Sequence, residues 1–107
     1  MTASLGPLES AADEAIRTWP EVRVRSVFGH RGYLRGSKMF AFVAEGGLSF
    51  KAASTADAEE LYEAGEATPF VYNGSMEMRA WPVVPLAIDE QLADALSAAR
   101  DAYERLG

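Results

Sequence analysis

Cysteine is absent from the 107-residue chain, which excludes a disulfide framework, a thiolate nucleophile and thiolate metal ligands. Histidine occurs once, at His30, so a metal centre built on paired histidines is excluded by count, and only a carboxylate-rich cation site stays open. No apolar run approaches the roughly 20 residues of a membrane-spanning helix. Residues 1–7, MTASLGP, have neither the basic start nor the apolar stretch of a signal peptide. The expectation is a soluble cytoplasmic protein with no membrane contact. Repeats, low-complexity segments and a composition break are also missing, so the chain reads as one domain over residues 1–107. At that length it buries roughly two-thirds of its extended surface.

Hydrophobic residues make up 49% and charged residues 24%, a globular rather than disordered balance. Basic residues are in deficit: 10 against 16 acids, net charge −6. They are also clustered. Arg17, Arg23, Arg25, Arg31, Arg35 and Lys38 face Glu21 alone between positions 17 and 38. Residues 39–107 set Lys51, Arg79, Arg100 and Arg105 against twelve acids. An acidic protein repels phosphate backbones as a whole yet can still carry a basic patch. Either those arginines meet one partner or they pair with the surplus carboxylates.

Pro7 suits the first turn of a helix, and Leu8, Ala12, Ala15 and Trp19 form its apolar stripe. Glu9, Asp13 and Glu14 near its start and Arg17 near its end match the helix dipole, and Pro20 stops it. From Val22 the period becomes two. Val22, Val24, Ser26 and Phe28 share one face, Arg23, Arg25 and Val27 the other. Gly29 and Gly32 bracket a bend calling for positive φ. Tyr33-Leu34-Arg35, a Gly36-Ser37 turn, the apolar run from Lys38 to Ala44, and Leu48 to Ala52 complete a four-stranded meander. Ser54 or Thr55 caps a second helix that carries Ala58, Leu61 and Tyr62 and ends at Gly65. Residues 69–81 form a second hairpin around Asn73-Gly74, a type I′ signal. Asp89 caps a last helix striped by Leu92, Leu96, Ala99, Tyr103 and Leu106. Short connections between successive strands predict an α+β fold: one mainly antiparallel sheet of five to six strands covered by about three helices.

Val27-Phe28-Gly29, Lys38-Met39-Phe40-Ala41, Leu48-Ser49-Phe50-Lys51, Pro69-Phe70 and Met78-Arg79-Ala80-Trp81 with Pro85 occur in an order that resembles the TfoX N-terminal domain family. The resemblance spans about Leu8 to Leu106. It implies an α+β domain related in shape to the MmcQ/YjbR-like proteins. It also implies a regulatory role, since full-length relatives regulate competence genes and the YjbR-like branch has been proposed to bind DNA. Those regulators carry a second, helical domain that this chain ends before, and many have a tyrosine near the position of Ala80. The family brings no agreed catalytic residues.

Three classes of function follow. The absence of any catalytic constellation favours a non-enzymatic regulatory or protein-interaction domain, taking a protein partner or a second copy of itself. Arg79 and Trp81 are its candidate contacts, because simple alternation places a partly exposed Trp beside an arginine. The alternative is a nucleic-acid-binding wing using Arg23, Arg25, His30, Arg31, Arg35 and Lys38. A third class is a small enzyme or ligand site near His30, Tyr33 and Lys51. Gly29-His30-Arg31-Gly32 matches the KH loop in letters, but it joins strands where that loop joins helices. Arg31-Gly32-Tyr33 begins like the RNA-recognition signature, and Leu34 and Arg35 break it. The glycine spacing fits neither a dinucleotide fingerprint nor a P-loop, and no cofactor is expected.

Overall fold

A computed structural model describes residues 6–27 and 29–107. Its elements run α1 (Pro7–Arg17), β1 (Val22–Val27), β2 (His30–Arg35), β3 (Lys38–Ala44), β4 (Gly47–Phe50), α2 (Thr55–Glu63), β5 (Thr68–Tyr72), β6 (Met76–Pro85) and α3 (Asp89–Glu104). The six strands form one sheet in the order β1-β2-β3-β4-β6-β5, and all five pairings are antiparallel. The fold is therefore α+β, as the short strand connections require. Phe28, which alternation placed with Val22, Val24 and Ser26, lies outside the described residues, as do residues 1–5 of the amino-terminal stretch.

Local chemistry explains most boundaries. Ser54 accepts a hydrogen bond from the Asp57 amide at 3.1 Å and starts α2. Asn73 and Gly74 both take positive φ, 58° and 78°, and close the β5–β6 hairpin. Two expectations change. Asp89 is the first helical residue of α3 rather than its cap; the Gln91 side chain accepts from the Ala87 and Ile88 amides instead. Gly32 has no positive φ: a Cβ there would stand 2.9 Å from Val27 Cγ2 and 3.2 Å from the Arg25 carbonyl oxygen. Gly32 is needed for close strand approach, while Gly29, at φ 77°, makes the turn.

The main core lies on one face of the sheet. Tyr33, Phe40, Ala41, Val43, Leu48, Phe50 and Val84 meet Ala12 and Ile16 of α1, Leu61 and Tyr62 of α2, and Ala95, Ala99, Ala102 and Tyr103 of α3. Ile16 is fully buried in α1, so the contact stripe is rotated from the Leu8–Ala15 line towards Ala12 and Ile16. Phe40 and Ala41 both reach this core because the β2–β3 register slips between Tyr33 and Leu34, inserting one residue in β3.

The other face carries a smaller cluster. Phe42, Ala44 and Phe70 are buried, with Met39, Met78, Trp81 and Val83 packed around them. Phe42 of β3 and Phe70 of β5 are three strands apart, about 14 Å in a flat sheet. Their ring centroids are 4.8 Å apart. His30 of β2, one strand further, still lies 5.9 Å from Phe70. The sheet is thus strongly coiled, its helix-free face concave and closed over its own aromatic residues. The second register shift, between Pro69 and Phe70, lies on the curved side.

Candidate interaction surface

Cross-strand pairs share a face, so the register assigns each charged strand residue to one side. Arg23 pairs with Leu34 and Leu34 with Met39; Arg25 pairs with Gly32 and Gly32 with Phe42. Arg23, Arg25 and His30 therefore belong to the concave side. Arg31 and Arg35 alternate with them and lie on the helix side with Tyr33. The six basic positions do not form one wing.

Their partners differ as well. Arg31 Nη1 donates to both Asp13 oxygens at 3.3 and 3.2 Å, and Arg17 Nη1 to Asp13 Oδ2 at 3.3 Å. Arg35 pairs with Glu21, donates to the Tyr103 carbonyl oxygen at 3.1 Å and lies 4.2 Å over the Tyr103 ring. That guanidinium serves the fold. Among the described residues Arg23, Arg25 and Lys38 have neither an ion pair nor a hydrogen-bonded side-chain partner. The clustered positive charge is thus divided between internal pairing and free surface.

Asp13 is the functional-looking residue that sequence reading treated only as a dipole match. It is 5% exposed and accepts the Tyr33 hydroxyl at 2.6 Å besides its two arginines. Burial first, then the hydrogen bond to Asp13, push the Tyr33 phenol well above its ordinary value, so Tyr33 stays a donor. The only sequence signal for this centre was the i, i+4 spacing of Asp13 and Arg17.

Arg79 and Trp81 are not neighbours on one surface. The shift at Pro69/Phe70 changes the alternation, so Trp81 and Met78 both join the concave cluster. Arg79 is turned to the other side. Its Nε and Nη2 donate to Glu59 at 2.6 and 2.7 Å, Nη1 donates to Glu77, and the guanidinium lies 5.0 Å over the Tyr62 ring. The Arg79 hydrogen bonds hold the exposed Glu59 carboxyl below its usual range. Trp81 contacts Phe42 at 5.5 Å and receives the Lys51 ammonium 5.6 Å from its ring.

The concave side thus presents a defined surface. Met39, Met78, Trp81 and Val83 are half-buried at its rim, and Met76 at the hairpin end is 61% exposed. Arg23, Arg25 and Lys51 flank it, and register places no carboxylate from these strands on that side; Glu77 faces away with Val71. Beneath it the Ser49 hydroxyl is fully buried and has no hydrogen-bond partner among the described residues. Lys51 and Tyr33, two members of the small-molecule reading, lie on opposite sides of the sheet, so His30, Tyr33 and Lys51 line no common pocket. Among the described residues, no three imidazole or carboxylate groups gather to hold a metal ion, and no helix is long and apolar enough to cross a membrane.

These features define a small α+β domain with one face of a coiled antiparallel sheet under helices and the other, among the described residues, without a helix over its cluster. The family model for the TfoX N-terminal domain matches residues 14–106, nearly the whole chain, and the protein belongs to that family. No curated protein and no solved structure matches the sequence.

Proposed function

We propose that this domain is a non-enzymatic, regulatory protein-interaction module that receives its partner on the concave sheet face. The observation behind this reading is the half-buried Met39–Met78–Trp81–Val83 rim, flanked by Arg23, Arg25 and Lys51, with Glu45 of the β3–β4 turn bordering the other end beside His30 and Val83. Flexible methionines and an indole adapt to varied apolar anchors, and desolvated aromatic residues supply most of the energy at such centres. The flanking cations select the partner's charge. The chemistry that fits is an apolar segment bordered by aspartate or glutamate.

Peptide display against the wild-type domain, with Met78→Glu as counter-selection, tests this. Enriched sequences should combine apolar anchors with acids, and Met78→Glu and Lys51→Glu should each weaken binding about tenfold or more. Selection of basic peptides, or binding indifferent to Met78→Glu, would overturn the reading. So would a turnover activity that a folded His30→Ala variant loses.

A further inference from the structure

The sheet ends in two edge strands, β1 and β5, each paired with one neighbour. They are not alike. β5 is five residues long, holds Pro69 with no amide hydrogen, and slips register between Pro69 and Phe70. Proline and irregular register keep an edge from adding further strands. β1 has neither. Its six residues, Val22–Val27, pair with β2 in unbroken register, and Arg23, Val24, Arg25 and Ser26 are all exposed.

The Val22 amide donates to the Trp19 carbonyl oxygen at 3.3 Å, so it points away from β2. Alternate residues of an antiparallel strand direct their backbone groups to the same side, so Val24 and Ser26 point outwards too. The two-residue turn at Gly36-Ser37 gives the same parity. Arg35 bonds across it to Lys38 of β3, which leaves Leu34 and Gly32 to bond to Arg23 and Arg25. Among the described residues no backbone group meets Val24 or Ser26 across this edge. The side chains are sorted as well. Arg23 and Arg25 project on the concave side, with no ion pair or hydrogen bond among the described residues. Val22 and Val24 project on the helix side, Val22 against the main core and Val24 45% exposed.

We infer that β1 takes up an extended segment of another protein as a seventh strand, one in which acidic and apolar residues alternate. A strand laid along β1 meets Arg23 and Arg25 on one side and Val22 and Val24 on the other, since cross-strand neighbours share a face. Carboxylates at alternate positions satisfy the first side, and apolar side chains cover the second. Unpaired arginines on an edge deter strands that lack carboxylates, so the charges that attract one partner exclude others. A second copy of this chain is among those excluded. β1 against β1 places the arginines of both copies on one face, within cross-strand distance. Outward amides and carbonyls of β1 supply the affinity, so the site stands apart from the Met78–Trp81 rim.

Titration of the folded domain with a peptide that alternates glutamate and valine over the length of β1 tests this, read by calorimetry and by amide shifts at Val22 to Ser26. N-methylation of the valine amides should abolish binding, and of the glutamate amides should change it less than about threefold, because only residues opposite Val24 and Ser26 bond to them in an antiparallel ladder. The reverse pattern means a parallel strand and also supports the site. Val24→Pro removes an outward amide and no bond to β2, and should weaken the peptide about tenfold or more with the fold intact. Arg25→Gln should weaken it and flatten its salt dependence, whereas Lys38→Gln, an equal charge change at the β2–β3 turn, should change it less than about twofold. No binding, equal effects of the two N-methylations, or equal affinity for a lysine–valine peptide overturns the site. Dimerisation of the free domain that Val24→Pro abolishes also overturns it, in favour of a second copy. So does a peptide lost in Met78→Glu and kept in Val24→Pro, which places it on the concave rim and leaves the docking reading standing.

Discussion

Removing the Asp13 carboxylate tests whether the α1–β2 junction is held by one buried polar centre. Asp13→Ala deletes the acceptor of a 2.6 Å bond from a tyrosine whose side chain is fully buried. A hydrogen bond to a charged group contributes about 1.5–3 kcal/mol, and leaving the Tyr33 hydroxyl orphaned places the loss towards the upper half of that range. The arginines add little, about 0–1 kcal/mol together, because both reach water. The expected loss is about 2–4 kcal/mol out of a total of about 5–15 kcal/mol. Urea denaturation followed by far-UV circular dichroism measures it directly. A cycle with Tyr33→Phe separates the pair from its surroundings: the double variant should be less destabilised than the two singles added, by about 1.5–3 kcal/mol. An Asp13→Ala cost below about 1 kcal/mol, or a coupling below about 0.5 kcal/mol, would refute the assignment of the junction to this bond.

Tyr33 also makes the fold sensitive to alkali. Its folded pKa is raised, by burial and Asp13, so its contribution is complete below the ordinary phenol value near 10 and is lost as pH rises above it. Urea midpoints of the wild type should fall from about pH 9 to about pH 11 more steeply than those of Tyr33→Phe; parallel curves would contradict this. Gly32→Ala forces a methyl against Val27 Cγ2 and the Arg25 carbonyl, and should cost about 1–3 kcal/mol by the same denaturation assay. The loss should appear as disorder of β1, read by hydrogen exchange of the β1 and β2 amides, with α3 protected.

The sequence alone determined whatever a few neighbouring residues decide. Pro7 starts α1, Ser54 caps α2, and Asn73-Gly74 takes the positive φ pair that closes a hairpin. Period-two alternation from Val22 assigned Arg23 and Arg25 to one side of a strand, and the register agrees. Apolar spacing predicted three helices over one antiparallel sheet, and the ordered motifs pointed to the family. Each of these signals operates within one or two turns of chain, where covalent geometry and local hydrogen bonds dominate.

The candidate site was less legible, because it depends on contacts between distant segments. The pairing of β4 with β6 leaves β5 at the edge, and no local pattern states that. Two register slips change which side later residues face, bringing Phe40 into the main core and moving Trp81 away from Arg79. Coiling of the sheet brings Phe42, Phe70 and His30 together across strands that are not neighbours. Asp13 looks like any first-half helix acid until α1 is laid on β2, when Tyr33 and Arg31 claim it. Counting charges showed that basic residues were clustered. Only the tertiary structure separated Arg35, bound within the fold, from Arg25, which has no ion-pair partner among the described residues, because pairing depends on distances in space that charge order along the chain does not encode.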